Sequence, residues 1–189
     1  MELLSIFSAF GLSASAGLNA YIPMLVVALL AKYTNLLHLD QPWDALTSWW
    51  TIGVLLFLSL IELFADKIPA INHVNDVVQT IVRPAAGAIV FASSASVVTD
   101  LHPVLSITLG LLVAGGVHAT KALAVRPAVT ATTGGVGNVP VSILEDIVSF
   151  VVSVLSIILP VLVACLLVVI TAWIIWLMMR RSRRMSTLD

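Results

Sequence analysis

Residues 143–179 read ILEDIVSFVVSVLSIILPVLVACLLVVITAWIIWLMM, and this stretch decides the fold class. After Asp146 it contains no charged residue. As one helix it would be about 55 Å long, whereas the hydrocarbon core of a bilayer is about 30 Å thick. We therefore predict two membrane spans here, separated by a break near Ser156 to Pro160.

The rest of the chain has the same apolar character. Hydrophobic residues make up 60% of the sequence and charged residues 10%, with a mean hydropathy of +1.10. A soluble domain is about a quarter charged. The sequence predicts an all-α membrane protein, a compact bundle of about six transmembrane helices in a single domain of residues 1–189. The predicted spans cover residues 3–31, 49–65, 84–98, 104–124, 143–158 and 160–179, followed by a basic tail at 180–189.

The basic residues predict the orientation, because short loops rich in Lys and Arg stay on the cytoplasmic side. With six spans and both termini cytoplasmic, every basic residue except Lys32 lies on that side. We therefore expect a multi-pass protein of the cell inner membrane, surrounded by lipid. Tryptophans predict an aromatic belt at each face, with Trp43, Trp49 and Trp50 at one and Trp173 and Trp176 at the other.

Charged side chains cluster between the second and third predicted spans. Glu62 and Asp66 are four residues apart, so a helix presents both on one face, and Lys67 follows directly. Either the span simply ends there, with its charged side chains reaching the headgroups, or the two carboxylates face a cavity as a cation or proton site. Ionisable residues inside a span are costly enough to suggest function.

Residues 71–82 predict an amphipathic helix that leads to the third span. It either lies in the membrane interface or re-enters the bundle. Its polar face carries amide and carboxylate groups rather than many Lys and Arg side chains, which favours contact with protein or with water in a cavity. That face comprises Asn72, Asn75, Asp76, Gln79, Thr80 and Arg83.

The connection from Arg126 to Pro140 is rich in Gly and Thr and includes Asn138. It is either an ordinary loop or backbone that folds toward a cavity and presents hydrogen-bonding groups to a solute. Its glycines match no nucleotide-binding motif. The following Ser142-Ile-Leu-Glu145 predicts a capping box that opens the fifth span and accounts for Glu145 and Asp146.

Two further features fall within predicted spans. Asn19 and Pro23 predict a kink in the first span, and helix breaks of this kind occur where helices line a site. His118 lies on the same helix face as Lys121, where it is either a proton-active group or an interhelical hydrogen-bonding residue. The predicted substrate-binding residues are Asn19, Glu62, Asp66, Lys67, Asp76, Arg83, His118, Lys121, Arg126 and Asn138.

The chain also has a weak internal sequence similarity. Residues 55–67 align with 109–121, and residues 11–23 align with 115–127, the second pairing relating helices of opposite direction. Inverted repeats are common in transporters. The matches are few, so the sequence leaves a repeat open.

Several classes of function are not expected from the residues present. The chain has no nucleophile–base arrangement at a recognisable spacing, no repeated metal-binding signature and a single cysteine, Cys165. We therefore expect neither an enzyme nor a catalytic residue, and no cofactor, metal site or nucleic-acid partner.

Several motifs together carry a resemblance that covers nearly the whole chain. The chain resembles the small bacterial membrane proteins of domain-of-unknown-function family 4126, which implies a membrane fold and no particular activity. The motifs are Gly17-Leu-Asn-Ala-Tyr-Ile-Pro23, Asp66-Lys-Ile-Pro69, Val74-Asn-Asp76, Arg83-Pro-Ala-Ala-Gly87, Thr132-Thr-Gly-Gly-Val-Gly-Asn138 and Ser142-x-x-Glu-Asp146.

A second motif suggests an alternative. Glu62-x-x-x-Asp66-Lys67 is similar to the Glu-x-Gly-Asp-Lys-Thr motif of manganese and calcium exchangers, with one extra residue, Ala65 for the glycine and Ile68 for the hydroxyl residue. The leading hypothesis is a small transporter or flippase that moves a small solute or lipid headgroup through a polar cavity near the cytoplasmic side. A cation or proton exchanger or channel using Glu62 and Asp66, and a non-transporting scaffold or assembly factor, are the alternatives, and a homo-oligomer is possible.

Overall fold

A computed structural model describes residues 2–65, 69–95 and 101–185 of the chain. Within these ranges every regular element is a helix. A short 3₁₀ helix, Trp43–Thr47, precedes α3, and a π-helical segment, Lys121–Val125, joins α5 to α6. The α-helices are α1 (Glu2–Leu18), α2 (Tyr21–Tyr33), α3 (Trp49–Ala65), α4 (Pro69–Ala95), α5 (Pro103–Thr120), α6 (Arg126–Thr133), α7 (Asn138–Ile158) and α8 (Pro160–Met185).

Helix α1 lies at the centre of the bundle and packs against α4, α5, α7 and α8. Small residues allow this close packing, as the paired small residues of the sequence predict. The Ser13 hydroxyl lies 3.2 Å from the carbonyl oxygen of Gly87 and 2.8 Å from that of Gly110. A Cβ at Gly87 would lie 2.8 Å from the Gly110 carbonyl oxygen, so α4 and α5 require glycine at this crossing.

Helix α7 turns its polar side inward and its apolar side outward. Its outer face includes Leu144, Ile147 and Phe150, which are 59%, 55% and 54% exposed. This is the arrangement of a helix whose outer surface contacts lipid. The buried face is a polar stripe of Ser142, Asp146, Ser149, Ser153 and Ser156.

Among the described residues, three helical stretches are long and apolar enough to cross a membrane: Val77–Ser94, Pro103–Thr133 and Asn138–Ile158. The chain is therefore a helical protein with the character of a membrane protein. The apolar helices Leu4–Leu18, Tyr21–Tyr33, Trp49–Ala65 and Pro160–Trp173 are shorter, and the count of six crossings stays a prediction.

Several predicted boundaries agree with the structure. The second predicted span coincides with α3, the long tract breaks at Leu159, between α7 and α8, and the first predicted span is interrupted after Leu18. The third does not agree, because α4 is continuous from Pro69 through Pro84 to Ala95. The predicted amphipathic helix is thus the first half of the same helix rather than a separate interfacial element.

The polarity of α4 matches the expectation that its polar side contacts protein. Val77 and Ile81 are 71% and 76% exposed, whereas Gln79 and Arg83 are 2% and 0% exposed. Gln79 and Arg83 therefore lie in the bundle interior, whereas Val77 and Ile81 point outward.

The predicted loop from Arg126 to Pro140 is mostly helical, so that prediction was wrong. Its first part is α6, which continues directly from the π-helical segment at Arg126 and has Pro127 in its first turn. The non-helical part is the turn of residues 134–137, in which Gly134 and Gly135 have φ of 64° and 92°. Glycine adopts these values at no steric cost.

In the second of the two internal sequence alignments, each aligned segment contains a departure from regular α-helix. It aligns residues 11–23 with 115–127, so that the interruption at Asn19 corresponds to the π-helical segment Lys121–Val125. A proline follows each irregularity at the equivalent place, Pro23 and Pro127. The repeat itself stays a prediction.

Candidate functional site

The interruption between α1 and α2 is built by Asn19 and Pro23. Pro23 has no N–H, so the Asn19 carbonyl lacks the donor that a continuous helix would supply. At the start of α2, the Asn19 side-chain Oδ1 accepts the N–H groups of Tyr21 at 3.1 Å and Ile22 at 3.0 Å. An asparagine side chain at the start of a helix stabilises it in this way.

Three ionisable side chains from three other elements hold the interruption. Lys121 Nζ donates to the Leu18 carbonyl oxygen at 3.2 Å. Asp146 Oδ1 accepts from Asn19 Nδ2 at 2.9 Å. Glu62 Oε2 accepts the Ala20 N–H at 3.2 Å. We call Leu18, Asn19 and Ala20, together with Glu62, Lys121 and Asp146, the break site.

The two carboxylate oxygens of Glu62 accept hydrogen bonds from different partners, the Arg83 side chain and the backbone. Its Oε1 lies 2.9 Å from Arg83 Nη2 and 3.2 Å from Arg83 Nε, while Oε2 takes the Ala20 N–H. The two side chains are 1% and 0% exposed. Removing one partner of such a buried pair is costly because it leaves the other charge in a medium of low polarity.

His118 extends this pair, and its contacts select one tautomer of the neutral ring. Its Nδ1 lies 3.3 Å from Arg83 Nη1 and its Nε2 lies 3.2 Å from Thr80 Oγ1. A guanidinium nitrogen can only donate, so Nδ1 must accept. Neutral His118 therefore carries its proton on Nε2 and donates it to Thr80.

A second charged group surrounds Glu145. Its Oε2 lies 2.7 Å from Lys121 Nζ and 3.8 Å from Arg126 Nη2. Lys121 is the first residue of the π-helical segment, and π-helical turns often occur at functional sites. Lys121 thereby links the Glu145 group to the Leu18 carbonyl of the break site.

Glu62 of the break site lies inside the apolar length of α3, although Leu18 ends α1 and Lys121 directly follows α5. Along α3, Glu62 is about 20 Å from Trp49 at about 1.5 Å per residue. The hydrocarbon core is about 30 Å thick, and Trp49 is a predicted interface residue. Charged groups at this depth need partners, and the contacts above supply them.

An elongated groove borders the charged groups on the outer side of the bundle. Its volume is about 740 Å³, within the range of roughly 300–1,000 Å³ for small-molecule sites. Its walls are almost entirely apolar, apart from Lys121, Glu145 and the hydroxyls of Thr120 and Thr171, so it differs from the polar cavity that we expected. The lateral groove is lined by residues of α5 and the π-helical segment, α7 and α8, and by Leu18 of α1.

The structure brings together six of the ten predicted site residues. These are Asn19, Glu62, Arg83, His118, Lys121 and Arg126. Asn138 lies elsewhere, since its Nδ2 donates to Thr130 Oγ1 at 2.9 Å across the turn between α6 and α7. Asp66 and Lys67 lie outside the described residues, and the backbone of Asp76 belongs to α4 while its side chain is not described.

Two side chains at the candidate site, Glu145 and Asp146, were not among the predicted substrate-binding residues. Glu145 and Asp146 were assigned to a capping box, but α7 already begins at Asn138, so Ser142 lies inside the helix and that prediction was wrong. A signal was present: Asp146 lies on the same face as four serines, at spacings of three and four residues, opposite an apolar face. That pattern indicates a buried acid that needs a partner.

One comparison with known proteins gives a match. A family model described as "Domain of unknown function (DUF4126)" matches residues 6–180. No curated protein and no solved structure matches the chain.

Proposed function

The chain belongs to the DUF4126 family, whose description gives no activity, and from the geometry of the break site we propose that it is a membrane transporter. It moves a small anionic solute or a lipid headgroup past the interruption in its first span. The observation that carries the proposal is the interruption itself, three consecutive residues held by Lys121, Asp146 and Glu62. Discontinuous helices with exposed backbone groups form the substrate sites of many transporters.

The charges around Glu145 favour an anion as the transported group. Lys121 and Arg126 both lie beside the Glu145 carboxylate. An incoming carboxylate or phosphate can compete with Glu145 for Lys121, and Arg126 then stays beside Glu145. Because Lys121 also holds the Leu18 carbonyl, such an exchange acts directly on the joint between α1 and α2.

Cation exchange through Glu62 is less favoured by these contacts. Both oxygens of that carboxylate accept hydrogen bonds, Oε1 from Arg83 and Oε2 from Ala20. A cation would have to displace a guanidinium that makes two contacts with the same oxygen.

We also propose that the end of the bundle with Lys121, Arg126 and Arg180 faces the cytoplasm. The positive-inside rule supports this orientation. Arg180 lies over the ring of Trp176 at 5.0 Å, an arrangement typical of the membrane interface. A reporter fused after residue 189, active only in the cytoplasm, tests it, and an inactive reporter would reverse the orientation.

Flux through proteoliposomes that contain the full chain tests the transport proposal. The probes are fluorescent phosphatidylglycerol, whose movement is followed by dithionite quenching, and radiolabelled inorganic phosphate; phosphatidylcholine and empty liposomes are the references. We expect movement of at least one anionic probe above both references. Anionic probes that move no faster than in empty liposomes would refute the proposal.

A charge-neutral pair of variants makes the test specific. Lys121→Gln with Glu145→Gln removes both members of one buried pair, which costs much less stability than removing one. We expect flux to fall about tenfold, the size of one lost charge-assisted contact. Lys32→Gln is the matched control, since Lys32 donates to the Thr47 carbonyl at 2.7 Å, outside the break site. Equal flux in the double variant and the control would contradict the role of Lys121.

A further inference from the structure

We propose that the lateral groove binds an acyl chain of an anionic bilayer lipid, whose phosphate pairs with Lys121. This inference rests on the proposed function and names the substrate class of the same site. It makes the lipid, rather than a water-soluble anion, the species that reaches the break site.

The composition of the groove matches an amphiphile with one charged end. Its walls are apolar side chains from three helices, while Lys121 and Glu145 form the charged part of the lining. In a bilayer an acyl chain packs against these apolar walls, whereas a small hydrophilic anion would leave the same walls uncovered. Only a ligand with both an apolar and an anionic part satisfies the whole groove.

The groove is accessible from the lipid-facing surface. Leu112 of α5, Leu144 of α7 and Ile170 of α8 all line it and are 62%, 59% and 43% exposed. In a membrane these helix faces contact lipid, because their exposed residues are apolar. A lipid can therefore enter sideways, without first leaving the bilayer.

One end of the groove lies near the level of headgroups. Ile175 lines the groove, and Arg180 lies about 7.5 Å further along α8 at about 1.5 Å per residue. Arg180 contacts Trp176, and this pairing of basic and aromatic side chains is typical of the interface. A lipid headgroup at the interface therefore lies close to this end of the groove.

The lipid phosphate competes with Glu145 for Lys121. Lys121 Nζ is 2.7 Å from Glu145 Oε2, and Arg126 Nη2 is 3.8 Å from the same atom. Two cations therefore lie beside this one carboxylate. When a phosphodiester, which carries one negative charge, pairs with Lys121, Arg126 stays beside Glu145.

Glycine substitutions test the groove without altering any charged residue. Gly116 lines the groove, and a Cβ there meets nothing within 4 Å, so Gly116→Trp fills the groove. Gly53 on α3 also has nothing within 4 Å of its Cβ but lies outside the groove lining, so Gly53→Trp is the matched control. Both changes remove a helical glycine, which has low helix propensity, and size-exclusion elution checks folding.

The binding experiment uses proteoliposomes with diazirine-labelled phosphatidylglycerol or phosphatidylcholine, followed by mapping of the labelled peptides. We expect phosphatidylglycerol to label α5 and α7 peptides about tenfold more than phosphatidylcholine does, as for one charge-assisted contact. Gly116→Trp should remove this excess and Gly53→Trp should retain it. Equal labelling by the two lipids, or undiminished labelling of Gly116→Trp, would overturn the inference.

Flux measured on the same samples separates this inference from the proposed function. If Gly116→Trp loses the labelling but keeps its anion flux, the groove is not the transport route, and the proposal that the protein is a transporter stands. Preferential labelling of the unmodified protein without any flux would refute transport and leave the lipid site in place.

Discussion

The two halves of the contact surface of α1 differ in chemistry. In its middle, a serine seam joins it to α7: Ser15 Oγ lies 2.9 Å from Ser149 Oγ and 2.7 Å from Ser153 Oγ. At its C-terminal end, the break site holds Leu18 and Asn19 through Lys121 and Asp146. Both regions are buried and polar, but only the second uses ionisable side chains.

From this difference we infer that the serine seam serves packing and that the break site serves function. Hydroxyl contacts between membrane helices contribute about 0.6 kcal/mol each on average and fix the helices at close range. A buried ion pair adds little net stability, because removing the two charges from water costs about as much as their attraction returns. Such pairs inside a membrane are therefore typical of sites where charge is needed for function. The charged groups of this bundle meet where the central helix is interrupted, so we expect break-site variants to lose flux and seam variants to retain it.

The largest effect is expected from Arg83→Gln. The change removes the guanidinium from the buried Glu62 carboxylate and from His118, and we expect a loss of about 3–5 kcal/mol in unfolding free energy. Thermal unfolding in detergent, followed by tryptophan fluorescence, measures it. The double variant Glu62→Gln with Arg83→Gln should recover most of the stability, and a double variant as unstable as the single one would show that the pair is not the cause.

A smaller effect is expected from Asn19→Ala. It removes the cap of α2 and the donor to Asp146, which together should cost about 1–3 kcal/mol. The same unfolding measurement applies, with Asn138→Ala as the matched control because that amide bonds only across a partly exposed turn to Thr130. Flux should fall in Asn19→Ala alone. Equal losses of stability and flux in both variants would remove the distinction between break site and surface.

The smallest effect is expected from Ser15→Ala. Ser149 Oγ also donates to the Ser15 carbonyl at 3.2 Å, so the seam retains a hydrogen bond, and we expect a cost of about 0.6 kcal/mol. Flux in proteoliposomes should stay at the unmodified level. A seam variant that loses flux while remaining folded would mean that the seam, and not only the break site, takes part in transport.

Part of the site could be predicted from the sequence because some residue types have few interpretations inside an apolar run. Asn19 with Pro23 indicated the interruption, and Glu62 stood out as a carboxylate one turn inside a span. Glu145 did not, since a serine three residues earlier offered a local explanation by capping. The start of α7 at Asn138 removes that explanation, and a helix boundary depends on the turn that precedes it.

The sequence by itself determined that this is a helical protein of membrane character, that its first span is interrupted and that α3 extends over residues 49–65. Those features follow from local composition, proline and hydropathy, which act on neighbouring residues. Only the tertiary structure decided that Arg83 meets Glu62, that Lys121 and Asp146 reach the interruption, and that an apolar groove runs beside them. Those contacts join residues far apart in the chain, and a side chain finds such a partner only when the packing of the helices brings the two together.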